Sequence, residues 1–194
     1  MFQRKKCLRQ FLLQNTATKK WGQGLFRAIE SGRTEGAFVD RIDRKILSLL
    51  QVRADISLAE LSDKVGLSQS PCWKRIQKLE AAGIIIGRVA LLAPEKIGLG
   101  LTVFVSIETA DHSAAWLKRF AEAVTAMPEV MELYRMAGDV DYMLRVVVED
   151  MAAYDAFYKR LIDAFPLKNV SSRFAMERVK STTVYKLPPE RPAD

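Results

Sequence analysis

Between residues 40 and 82 the apolar positions recur every three or four residues, which is the period of helices packed along one face. Ile42, Ile46 and Leu49 or Leu50 predict a first helix, with Asp40 and Asp43 suited to its start. Leu58, Leu61 and Val65 fall at i, i+3 and i+7 of a second, which opens on the capping box Ser57-Leu58-Ala59-Glu60. Gly66 ends it, and Leu67-Ser68 completes a short turn. A third helix buries Cys72, Ile76 and Leu79, with Ser70 as its N-cap and Pro71 in its first turn, and stops at Gly83. Residues 84–92 are β-rich around Gly87-Arg88 and predict a hairpin. Three helices followed by a hairpin make a winged helix-turn-helix.

After Pro94, Gly98 and Gly100 the period changes. Leu101, Val103, Val105 and Ile107 alternate with Thr102, Phe104, Ser106 and Glu108, a strand. Trp116 or Leu117, Phe120 and Val124 then repeat at helical spacing. Val130–Met136 and Tyr142–Val148 are β-rich runs around Gly138-Asp139, a hairpin signal. A second helix carries Met151, Tyr154, Phe157 or Tyr158, Leu161 and Phe165. Val170–Glu177 is a last main strand, with Thr182–Tyr185 a candidate short extra one. The order βαββαβ is ferredoxin-like, so the fold class is α+β with helices on one face of an antiparallel sheet. The other face takes part of Thr102/Phe104, Met131/Leu133, Met143/Val147 and Phe174/Met176. Apolar residues remain on both faces whichever set points outward, and an uncovered apolar face calls for a partner, most simply a second copy.

The polar side of the third helix carries the candidate chemistry. Ser68, Gln69, Ser70, Trp73, Lys74, Arg75, Gln77 and Lys78 offer hydroxyl, amide and cationic groups to DNA. Gln77 can pair with adenine and Lys74 with guanine, while Arg75 and Lys78 are placed nearer phosphates. Trp73 either touches a thymine methyl or lies back on the second helix, as core. The plain alternative is an αα-hairpin with a solvated face, and the flanking helix and hairpin argue against it.

Composition narrows the function. The 194 residues hold no apolar run of membrane-spanning length. Only Cys7 and Cys72 occur, which indicates neither a disulfide framework nor a zinc site. The single histidine, His112, stands beside Asp111 and Ser113 at a helix start, a surface or capping position. No nucleophile–base pair, metal cluster or phosphate loop appears, so no catalytic residue, metal or cofactor is assigned. The net charge of +7 divides unevenly: +6 over residues 1–37, +3 over 38–92 and −2 over 93–194. The DNA-binding segment is thus modestly basic, and useful affinity calls for several copies or help from the tail. Residues 1–37 contain no acid before Glu30 and read as a disordered basic arm, a transit-like segment or a misassigned start, with disorder favoured.

The chain resembles the Lrp/AsnC (feast/famine) transcriptional regulators over about residues 38–187. The resemblance rests on Asp40-x-x-Asp43-Arg44-x-Ile46-Leu47, Glu60-Leu61-Ser62, Val65-Gly66-Leu67-Ser68, Ser70-Pro71-Cys72-x-x-Arg75-Ile76-x-x-Leu79-Glu80, Gly83-x-Ile85 and Gly138-Asp139-Val140-Asp141-Tyr142. It implies a winged helix-turn-helix over 38–92, a hinge over 93–100, a ligand-sensing RAM domain over 101–187 and a tail over 188–194. It also implies a homodimer assembling to a tetramer or octamer, in the cytoplasm, whose partners are double-stranded DNA and a small effector, commonly an amino acid. Gly138, Asp139, Asp141 and Tyr142 match the loop beside the effector cleft, and Phe174 and Ala175 match strand positions lining it. Ala137 stands where relatives often carry Ser, which removes a hydroxyl.

From its chemistry alone, the loop offers backbone N–H groups to a carboxylate and Asp139 or Asp141 to an ammonium, a pairing that suits a zwitterion. Its bland reading is an ordinary hairpin turn. The functional alternative to a ligand-responsive regulator is an architectural DNA-binding protein whose second domain only oligomerises.

Overall fold

The computed structural model describes residues 39–189. The expectations for residues 1–37 lie outside the described residues. Those described divide into two units, 39–90 with 182–189, and 91–181.

The first unit is helical: α1 (Arg41–Val52), α2 (Leu58–Val65) and α3 (Gln69–Ala81). Asp40 caps α1 by accepting from the Asp43 amide at 2.8 Å. Ser57 caps α2 by accepting from the Glu60 amide at 3.1 Å. The capping box is only half closed, because the Glu60 carboxylate turns to Arg53 and Lys64 instead of the Ser57 amide. Gly66 ends α2 at φ +77°, a left-handed conformation that costs glycine little. The cap of α3 falls at Ser68, two residues before the expected Ser70, and Pro71 sits third in the helix. The missing N–H is harmless there, since first-turn N–H groups have no intrahelical partner.

Ile46, Leu47, Leu61, Val65, Cys72, Ile76 and Leu79 form the core of this unit, with Ile42, Leu49 and Leu50 packed at its edge. One polar arrangement crosses it. Arg75 of α3 donates to Asp40 at 2.5 Å and to Asp43 at 2.7 Å, and Asp43 is only 1 % exposed. Burial pushes the Asp40 carboxyl up, but the Asp43 amide and the Arg75 guanidinium outweigh it and hold it below its ordinary value.

Two expected β segments, a hairpin and a short strand, do not form. Residues 84–92 contain no strand pairing, and Ile86, Val89, Leu91 and Leu92 lie exposed, so the Gly87-Arg88 hairpin is absent within the chain. Arg88 instead reaches back to Glu80, which keeps residues 84–88 near the end of α3 rather than folded on themselves. Thr182–Tyr185 is likewise unpaired. The Tyr185 N–H and C=O meet the side-chain amide of Gln51 on α1, and Leu187 packs against the helical core.

The second unit begins with a 3-10 turn (Pro94–Ile97) and continues as β1 (Leu101–Glu108), α4 (Ala114–Thr125), β2 (Val130–Arg135), β3 (Tyr142–Val148), α5 (Met151–Ala164) and β4 (Asn169–Phe174). The sheet order is β2-β3-β1-β4, antiparallel throughout, as the βαββαβ pattern requires. Val103, Val105, Ile107, Tyr142, Leu144, Val146 and Val148 face the helices and pack on Trp116, Phe120, Val124, Tyr154, Phe157 and Leu161. Leu133 also turns to this side, and Phe174 meets the Tyr154 ring edge-on at 5.3 Å. Met151, expected in the core, is exposed at the start of α5.

The opposite face is more polar than single-strand alternation suggested. Cross-strand register aligns Glu132, Arg145, Phe104 and Arg173 in one row. Arg145 donates to Glu132 at 2.7 Å, Arg173 donates to the Ser106 hydroxyl at 2.6 Å, and Phe104 is 39 % exposed between the two arginines.

Replacing Arg75 with Ala strands the buried Asp43 carboxylate, so the helical unit should lose about 3 kcal/mol. Faster hydrogen exchange at the Ile76 and Leu79 amides, with β1 and β3 protection unchanged, would register this. Because the Asp40 carboxyl is held below its ordinary 3.8, its contribution is complete above that pH and is lost as pH falls through the lower folded value. Acid unfolding of the helical unit should therefore lose part of its pH dependence in Asp40→Asn, as read by denaturation midpoints against pH.

Candidate nucleic-acid interface and effector loop

Helix α3 has two faces because its sequence alternates with helical period. Cys72, Ile76 and Leu79 face the core, and burial pushes the Cys72 thiol pKa up. Ser70, Trp73, Lys74, Gln77 and Lys78 form the opposite, exposed stripe, with Ser68 and Gln69 at its N-terminal end. Trp73 is 50 % exposed, which places its ring on this stripe and not back on α2 as core. The Lys74 and Lys78 ammonium groups are unpaired among the described residues and stay available to phosphates or base edges. The Ser68 hydroxyl makes no capping bond, so the first N–H groups of α3 are open as well.

Arg75 stands apart from this stripe. Its Asp40 and Asp43 hydrogen bonds hold the guanidinium against α1 and keep its pKa raised, so it anchors the helix from behind. Sequence reading missed a different pair. Glu80 accepts from the Gln77 amide at 2.9 Å through one oxygen and from Arg88 at 2.9 Å through the other. The i, i+3 spacing of Gln77 and Glu80 was the available signal; nothing in the sequence marked Arg88.

In the second unit, β2 and β3 are joined by a loop closed by the Met136 amide donating to the Asp141 carbonyl at 2.8 Å. Gly138 sits in it at φ +137°, a conformation that L side chains rarely adopt. Ala137, Gly138 and Asp139 are exposed, and the Asp139 carboxylate has no partner among the described residues. Asp141 is engaged: one oxygen accepts from the Thr109 amide at 2.8 Å and the other lies 3.6 Å from Nδ1 of His112. His112 is exposed, next to the α4 cap Ser113, which accepts from the Trp116 amide at 3.2 Å. Tyr142 is 4 % exposed, its ring packed on Trp116 and Phe120, so it supports the loop from the core.

Phe174 and Ala175 lie far from this loop. Phe174 pairs with Val103 and the Ala175 amide donates to Thr102, whereas the Asp141 amide donates to Ile107. Thr102 and Ile107 are five residues apart on β1, roughly 17 Å at strand spacing. The expected effector residues are thus split between two ends of the sheet in one chain. A shallow cleft of about 280 Å³ between α5 and β4 is lined by Met151, Tyr154, Asp155, Tyr158, Val170 and Ser172, and includes none of them. No His, Cys, Asp and Glu group among the described residues could hold a metal ion, and no described helix is long and apolar enough to cross a membrane.

A helix-turn-helix unit with a cationic and amide-bearing stripe, followed by a βαββαβ unit, defines a DNA-binding protein with an accessory domain. Comparison with known proteins agrees. Residues 39–86 match the winged helix-turn-helix DNA-binding family, and residues 102–185 match the Lrp/AsnC ligand binding domain. The chain is 56 % identical over 146 residues to the DNA-binding transcriptional activator DecR of Escherichia coli K12, covering 75 % of this chain and 96 % of that one. A crystal structure of an AsnC family transcriptional regulator from Agrobacterium tumefaciens is 60 % identical with a TM-score of 0.72, covering 77 % of this chain and 96 % of the other. A Neisseria meningitidis transcriptional regulator solved as an L-Met complex is 34 % identical with a TM-score of 0.71, covering 76 % and 96 %. The chain belongs to the Lrp/AsnC family of transcriptional regulators.

Lys78→Ala should weaken binding to all DNA sequences alike and lower the slope of log K against log salt by about one. Fluorescence titration at several salt concentrations measures both effects.

Proposed function

We propose that the protein is a sequence-specific, ligand-responsive regulator that acts in the cytoplasm as a homodimer or larger assembly. The exposed stripe on α3 carries this reading. Gln77 and Lys74 face outward to base edges, Trp73 to a thymine methyl, and Lys78, Ser68, Gln69 and Ser70 to the backbone. Arg75 contributes by fixing the helix.

Dimerisation is supported by two features. Ile86, Val89, Leu91 and Leu92 are exposed on backbone that pairs with no strand among the described residues, and Phe104 is 39 % exposed between Arg145 and Arg173. A second helix-turn-helix would also supply the phosphate contacts that a modestly basic unit lacks.

The effector is an amino acid bound where Ala137, Gly138 and Asp139 of one chain meet Phe174 and Ala175 of another. Gly138 leaves room for a carboxylate to approach the loop backbone, and the free Asp139 carboxylate suits an ammonium. The separation of the two groups within one chain favours a site shared between copies. That the Neisseria relative was solved with L-Met supports this chemistry.

Gln77→Ala should relax preference at one base position by about 1–3 kcal/mol, measured by selection from randomised duplex DNA. Equal loss over all sequences would contradict base readout. Titration calorimetry against the amino acids, with and without DNA, tests the effector; no binder and no effect on DNA affinity would favour an architectural role.

A further inference from the structure

Glu80 is an acid on a helix that we assign to DNA, where its charge opposes the phosphates. Its placement nonetheless suits a purpose. It lies one turn beyond Gln77 on the same side of α3, and its two oxygens bridge Gln77 and Arg88, each at 2.9 Å. Arg88 reaches it because Gly83, at φ +70°, turns the chain sharply at the helix end.

A glutamine amide can be turned to exchange its oxygen and nitrogen. Turned one way beside Glu80, Nε2 donates to the carboxylate; turned the other way, Oε1 would face another acceptor. The carboxylate therefore selects the first orientation, and Arg88 holds the carboxylate in place. Gln77 keeps one N–H and its whole Oε1 for DNA, the pair that adenine N7 and N6 require. We infer that Glu80 and Arg88 are positioning residues that fix the orientation of the Gln77 amide and thereby its preference for adenine. This rests on the reading of Gln77 as a base-contacting residue.

The test uses the full-length protein and randomised double-stranded DNA, followed by titration of the preferred duplex and its single-base variants. Glu80→Gln keeps the shape but removes the constraint. It should raise affinity for all duplexes by removing a negative charge, while preference at the Gln77-dependent position falls by about five- to tenfold. Arg88→Ala should lower the same preference by a smaller factor. In a Gln77→Ala background, Glu80→Gln should leave that position unaffected. A uniform gain in affinity with base preference intact overturns the inference, because Glu80 would then act through charge alone. If Gln77→Ala relaxes the position and Glu80→Gln does not, only the positioning role fails. If Gln77→Ala changes no position, base readout by Gln77 fails and this inference with it.

Discussion

The reading surface depends on the Arg75 clamp behind it. Apolar contacts from Cys72, Ile76 and Leu79 hold α3 against the core, but such contacts are non-directional and tolerate some rotation about the helix axis. The two hydrogen bonds from Arg75 to Asp40 and Asp43 are directional, and they tie the middle of α3 to the first turn of α1. Asp43 is buried and its second oxygen has no hydrogen bond, so its charge is balanced chiefly by Arg75. With that register set, Ser70, Trp73, Lys74, Gln77 and Lys78 face solvent together. A cation that sequence reading placed among the phosphates instead determines where the other side chains point.

The sheet imposes a different constraint. Antiparallel pairing fixes which ends of the strands meet, and β1 is the ruler between them. It places the Gly138–Asp141 loop beside Ile107 and Thr109, and Phe174 with Ala175 beside Val103 and Thr102. Within the loop the residues divide by task. Asp141 and Tyr142 are held by Thr109 and by the aromatic core, which leaves Gly138 and Asp139 exposed as the part of the loop that the proposed effector would meet. A rigid half-site completed by another copy would couple ligand binding to assembly, because the ligand would bind only where both halves meet.

The parts of this architecture legible in the sequence are those set by local periodicity. The spacing of Leu61 and Val65, of Cys72, Ile76 and Leu79, and of Trp116, Phe120 and Val124 placed helices and their buried faces correctly, and Gly66 and Gly83 marked two helix ends. What escaped depended on partners distant in sequence. The Arg75 clamp spans more than 30 residues, so its residue types alone suggested a phosphate contact. The polar row across the sheet exists only once four strands are in register; read strand by strand, Phe104, Met143 and Val147 made that face look apolar. Residues 84–92 have the composition of a hairpin but pair with no strand among the described residues, because β propensity does not specify a pairing partner.

Charge connects these observations. The helical segment carries only a small positive excess, and Arg75 and Arg88 are both engaged with carboxylates. Its unpaired cations on the reading helix reduce to Lys74 and Lys78 among the described residues. Each phosphate contact forgone lowers affinity for every sequence equally, so the loss falls on non-specific binding as heavily as on the operator. Hydrogen bonds from an oriented amide act on one base pair and leave the background unchanged. In the proposed assembly, presenting several such helices to the same DNA, or help from the basic residues 1–37, would supply the affinity that one helical unit with its arginines engaged in geometry lacks.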